Sequence, residues 1–173
     1  MARRKKTHAL AFSGIASALC VVFLYLGSII EVLDYSVSAF CGIVVTLIMV
    51  EFGKSSALGV YVTSSVLALL LLPLKSSALL FVAFTGWYSF LKKILERLTP
   101  LISWMLKLLI FNAVLTGIYF ITLKLILVES VGVGVAVGVF LLSNVVFVVY
   151  DLLLTRLTFV YLASWRQRFT FLK

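Results

Sequence analysis

Six long apolar runs, at residues 9–30, 36–50, 55–72, 77–91, 101–127 and 131–153, constrain this chain more than any other feature. Each is continuously apolar over more than the ten or so residues of a barrel strand, and none alternates apolar with polar. A segment in hydrocarbon must satisfy its own backbone polar groups, which leaves helices or closed barrels. Continuous apolar runs select helices. A span needs about 20 residues, so the second and fourth runs are short unless their polar ends extend them. The chain is 64% hydrophobic and 12% charged, more apolar surface than a soluble domain of this length can bury. The expectation is an all-α polytopic membrane protein. Residues 1–173 are read as a single domain of six transmembrane helices in one compact bundle, with short basic termini.

The breaks between runs carry turn chemistry. Gly53 is placed to close the second helix, and Ser55 to cap the third. Pro73 ends the third, and Ser76 or Ser77 is placed to cap the fourth. Thr99 before Pro100 reads as a cap with proline at the first helical position. Ser130 is placed to cap the sixth, and Asp34 or Ser36 the second. The basic opening "MARRKKTHAL" is like that of a signal peptide, but the apolar run behind it exceeds an h-region and lacks a small-x-small cleavage site. A retained first span is expected. Cys20 and Cys41 fall inside apolar runs and read as buried free thiols.

Lys and Arg set the orientation. In a six-span topology thirteen of the fifteen fall on one side: Arg3, Arg4, Lys5, Lys6, Lys54, Lys92, Lys93, Arg97, Lys107, Arg156, Arg166, Arg168 and Lys173. Lys75 and Lys124 fall on the other. The split predicts a multi-pass protein of the cell membrane with both termini cytoplasmic. The net charge of +9 then reflects basic loops facing anionic lipid or acidic partners, with no call for nucleic acid.

Polar groups at membrane depth are functional candidates because leaving them unpaired is costly. Asn112 lies near the middle of the fifth run, with Thr116 and Tyr119 on the same helical face. Ser143 and Asn144 fall near the midplane of the sixth. If these helices pack together, Asn112 and Asn144 meet, either as an interhelical hydrogen bond or as a polar floor under a cavity open to the outside. Lys124 reads as a snorkelling side chain. Asp151 reads as a structural anchor near the end of the sixth run, with Arg156 as a local candidate partner. Glu31 and Asp34 lie in the first outward loop. Gly134 and Gly138 have GxxxG spacing, and Ser13, Gly14, Ser17 and Ala18 form a small-residue pattern in the first helix. No phosphate-binding loop, metal-ligand cluster or nucleophile-plus-base set is visible, so neither an enzyme nor a cofactor is expected.

The order of features, "ALAFSGIASAL" in the first helix, "EVLDYS" in the outward loop, and "VEFGKSSALGVYVTSSVLALLL" across the second turn, resembles the substrate-binding S component of energy-coupling factor (ECF) transporters. The resemblance covers most of the chain in layout and is clearest over residues 9–72. It implies capture of a vitamin or similar micronutrient from outside. It also implies association with a transmembrane coupling subunit and two ATPases, and toppling in the bilayer to release the load. The family's small-xxx-small motif maps most nearly to Gly14 and Ala18, with Ser13 and Ser17 alongside. The family form is alanine-based, and this helix has no Ala-xxx-Ala. By position the resemblance places Glu31, Asp34, Tyr35, Lys75, Asn112, Tyr119 and Asn144 at the substrate, with the loop carrying Glu31, Asp34 and Tyr35 as lid. The cost of unpaired midplane amides adds the expectation of a cavity in the outer half of the bundle, with Asn112 and Asn144 as floor and Tyr119 as wall. None belongs to a substrate-specific motif. The competing expectation is a structural membrane scaffold. Rod-shape-determining membrane proteins (MreD-like) also have six helices and a similar size, and such a scaffold needs no solute cavity.

Overall fold

A computed structural model of the chain describes residues 2–30, 33–126 and 133–165. Every element among them is helical: α1 (Ala2–Ile29), α2 (Asp34–Phe52), α3 (Lys54–Leu71), α4 (Ser76–Leu80), a π-helical turn (Phe81–Thr85), α5 (Gly86–Leu95), α6 (Pro100–Ile126), α7 (Val133–Val160) and a final π-helical turn (Tyr161–Trp165). The fourth span is α4, the π turn and α5 in succession. Among the described residues six stretches are long and apolar enough to cross a membrane: Thr7–Ile29, Asp34–Phe52, Lys54–Leu71, Ser76–Leu95, Pro100–Phe120 and Val137–Ala163. Each overlaps one of the six apolar runs, polar ends extend the second and fourth, and the sixth reaches ten residues past its expected end, to Ala163. Large apolar side chains such as Leu70, Leu101, Met105 and Leu142 stand exposed along them. Such surfaces are stable against lipid and not against water. The chain is an all-α, multi-pass membrane protein.

The expected boundaries hold where backbone geometry sets them. Gly53 ends α2 with φ of 91°, a left-handed conformation that glycine adopts without strain. Pro100 opens α6, where its missing N–H is no loss. The expected side-chain caps are not what the serines and Asp34 do. Leu33, Gly53 and Lys75 occupy the cap positions of α2, α3 and α4 without a side-chain cap bond. Ser130 and Glu31 lie outside the described residues.

The helices form two compact units, Met1–Phe90 with Leu154–Lys173, and Leu91–Leu153. In the first, α1, α2 and α3 pack mutually and the start of the fourth span closes on them. Cys20, Leu24, Cys41, Val45, Ala57, Val60, Ala68 and Phe81 build its core. Small residues let the backbones approach. The two cysteines are buried and free. Their thiols face reciprocally, Cys41 Sγ donating to the Cys20 carbonyl at 3.5 Å and Cys20 Sγ lying 4.0 Å from that of Cys41. Ser38 meets Thr85 at 2.8 Å, Thr46 meets Ser89, and Tyr161 donates to Glu51 at 3.0 Å. In the second unit Phe111 of α6 stacks on Phe147 of α7 at 4.5 Å.

The π turn has a local cause. Its extra residue displaces backbone carbonyls from the regular ladder. Tyr61 of α3 donates to one of them, Val82 O, at 2.9 Å. The ring reaches it by lying across Gly86, where a Cβ would come within 2.5 Å of Tyr61 Cδ2 and 2.9 Å of Phe81 O. Gly86→Ala must move either the ring or the backbone, and is expected to lower unfolding stability in detergent by about 1–3 kcal/mol. Gly59→Ala on α3, where a Cβ meets nothing within 4 Å, serves as the neutral control in the same thermal measurement.

Candidate functional site

Three polar constellations interrupt the apolar interior, each contained in one unit. In the first unit Asp34, the opening residue of α2, is buried, and its two carboxylate oxygens each accept a hydroxyl hydrogen bond, from Ser76 and Ser77. Those serines are the first residues of α4, so the anion also sits at a helix start, where unpaired N–H groups favour it. The clasp ties the start of the second span to the start of the fourth. Beside it in sequence, Lys75 donates to the carbonyls of Leu69 and Leu72 at 2.7 Å each. It thereby satisfies carbonyls at the end of α3. Tyr35 is exposed.

In the second unit Asn112 of α6 and Asn144 of α7 meet. Each Nδ2 donates to the other's Oδ1 at 3.0 Å. The remaining hydrogens go back along their own helices, Asn112 to Leu108 O at 2.8 Å and Asn144 to Phe140 O at 2.9 Å. All four N–H donors are used, and each carbonyl retains one lone pair. The pair is therefore complete on its donor side within the two helices. Thr116 donates to Asn112 O at 2.8 Å, and Tyr119, one further turn along, is exposed.

The third constellation joins the end of the fourth span to α6 and α7. Asp151 of α7, buried, is bound by two buried lysines. Lys92 Nζ donates to its Oδ1 and, at 2.9 Å, to its backbone carbonyl. Lys107 Nζ lies 2.9 Å from Oδ2 and 3.2 Å from Oδ1. Glu96 closes the group, with Oε1 at 3.1 Å from Lys92 and 3.6 Å from Lys107. Lys107 also sits 5.2 Å over the Trp104 ring. The two positive and two negative charges balance. A buried carboxylate or ammonium is tolerated only when compensated in this way. The sequence reading took Lys107 as an orientation marker and Asp151 as an anchor, but missed that they meet. The signal was available: Lys107 and Asp151 inside apolar runs and Lys92 just past the end of another, each needing an opposite charge at the same depth.

On α1 the small residues divide between two faces. Ser17 is buried, donates to Ser13 O at 2.9 Å, and has its own carbonyl 3.5 Å from Ser64 Oγ of α3. Gly14 and Ala18 are exposed, and a Cβ at Gly14 would meet nothing within 4 Å. The structure thus brings together Asn112 and Asn144, and separately sets Asp34 against the serines next to Lys75. Glu31 and Lys124 lie outside the residues whose side chains are described. Comparison with protein-family models, with curated proteins and with solved structures finds no match for this chain.

The asparagine pair makes a double-mutant test. Asn112→Leu or Asn144→Leu alone strands the partner amide in apolar surroundings and is expected to cost about 1–3 kcal/mol in detergent unfolding. The double variant replaces both groups and is expected to be no less stable than either single one.

Proposed function

We propose that the chain is a membrane-embedded solute-binding subunit of the ECF type. In this reading it lies in the cell membrane with both termini cytoplasmic, captures a small micronutrient or vitamin from outside, and docks on a transmembrane coupling subunit that works with two ATPases. It performs no chemistry on the solute. The observation that supports it most is the division of α1. Its serine face is engaged with the rest of its unit, while Gly14 and Ala18 bare the helix backbone on the exposed face. Small residues contribute little to a lipid-facing surface but admit a second helix at close range. The clasp of Asp34 on Ser76 and Ser77 fits an outer end held shut around the first loop, with Tyr35 and Lys75 beside it.

A second reading, a structural scaffold without a solute cavity, has its own support in the asparagine pair, whose donors need no ligand.

Three measurements bear on these readings. Cysteines placed at residues 33, 35 and 73–76, all exposed, should react with an impermeant reagent from outside, and those at 93–98 should not; labelling at 93–98 defeats the orientation. Gly14→Leu with Ala18→Leu should leave a folded protein that no longer co-purifies with a coupling subunit. A small molecule identified by mass spectrometry in the wild-type preparation would favour solute capture. Assembly and transport unchanged in the double variant would remove α1 as the docking face.

A further inference from the structure

The chain has two cysteines, and the fold brings them together. Cys20 lies on the inner face of α1 and Cys41 on that of α2, both fully buried. Cys41 Sγ donates to the backbone carbonyl of Cys20 at 3.5 Å, and Cys20 Sγ lies 4.0 Å from that of Cys41. The two thiols are also within hydrogen-bonding reach of each other. A side chain this short touches the backbone of a neighbouring helix only where the two helices pass closely, and here the contact is made in both directions. A disulfide needs the same close approach, with Cα atoms about 4.4–6.8 Å apart. Packing alone does not call for sulfur at these two positions, since alanine admits a neighbouring helix at least as closely.

We propose that Cys20 and Cys41 are a redox pair that closes to an intramolecular disulfide and latches α1 to α2. The oxidant is a hydroperoxide, in its simplest form hydrogen peroxide. Both thiols are closed off, so the oxidant has to be small and uncharged, and it reaches them as the helices open locally. One sulfur takes an oxygen from the peroxide and becomes a sulfenic acid, and the other peroxide oxygen leaves as water. The neighbouring sulfur then attacks the sulfenic sulfur, the S–S bond forms, and the sulfenic oxygen leaves as a second water. Two thiols and one hydrogen peroxide become one disulfide and two waters, with two electrons passing from sulfur to peroxide oxygen. The bridge joins positions 21 residues apart and fixes the rotation of α1 against α2, and with it the direction in which Gly14 and Ala18 are presented. The reduced pair leaves that rotation to packing and hydrogen bonds alone. The proposal is independent of the transport reading and holds equally for a scaffold.

The test starts from the fully reduced full chain in detergent and treats it with hydrogen peroxide below its unfolding temperature. The peroxide is then removed and the chain is denatured in the presence of an alkylating reagent. The wild type is expected to lose two hydrogens in intact mass, to take up no alkyl group, and to unfold roughly 5–10 °C higher than the reduced protein. A phosphine reductant should restore both the mass and the unfolding temperature. Cys20→Ala and Cys41→Ala each leave one thiol and should show neither the mass loss nor the upward shift. Cys20→Ser gives the same control if the alanine variants fold poorly. The proposal is overturned if both thiols of the wild type still alkylate after treatment, if the sulfurs gain oxygen without bridging, or if bridges form only between two chains. It is equally overturned if the bridged chain unfolds at the same temperature as the reduced one, because the bond would then latch nothing.

Discussion

A carboxylate placed among apolar helices has no water to solvate it, and in this protein each buried one is met by side chains from a different span. Asp151 on α7 is held by Lys92 and Lys107, which lie 59 and 44 residues away in sequence. Asp34 on α2 is held by Ser76 and Ser77 at the start of α4. Apolar contacts between such helices are nearly degenerate, because lipid tails are as apolar as leucine and a rotated helix buries similar surface. Charge pairing removes that degeneracy. A rotation that carries Asp151 away from both ammoniums strands its carboxylate and leaves two lysines sharing Glu96, at a cost of several kcal/mol. The polar pairs therefore set the rotation of the helices, and apolar packing fills in around them.

That division explains what was legible in the sequence. Span number and limits follow from length and hydropathy. The stop at Gly53 and the start at Pro100 follow from backbone chemistry at single residues. Those are local properties, and a sequence states local properties directly. The meeting of Asn112 with Asn144 was also readable, since both lie near the midplane of consecutive spans. The partners of Asp34 and Asp151 were not. Serines at a helix start read as caps, and nothing near Ser76 and Ser77 in the chain announces a carboxylate arriving from residue 34. The nearest basic residue C-terminal to Asp151 is Arg156, and a local reading stops there. The helices are apolar round most of their circumference, so the sequence carries no periodic stripe to say which face turns inward. Pairing depth, counted in residues from the span ends, was the missing criterion.

The asparagine pair bears on the competing functional readings in a specific way. A polar group that needs a ligand is one left with unused donors, and here the back-bonds to Leu108 and Phe140 use the hydrogens that the mutual pair does not. Each amide is thus complete on its donor side within two helices. A solute entering at this level would find carbonyl lone pairs, and so would have to bring its own donors. That restricts a solute at this position to donor-rich chemistry such as an amine, amide or hydroxyl compound, and disfavours an anion. The scaffold reading carries no such restriction.

Pairing also sharpens the orientation argument. Lys92 and Lys107 are neutralised by Asp151 and Glu96, so in the folded protein they present little free positive charge. Removing both from the count leaves eleven basic residues on one side against Lys75 and Lys124 on the other. Lys75 in turn spends two of its three donors on the carbonyls of Leu69 and Leu72, serving a helix end. The asymmetry therefore does not depend on residues recruited to balance the interior. It survives whether the charges are counted as the spans insert, before any pair has formed, or afterwards, when only unpaired groups face lipid headgroups.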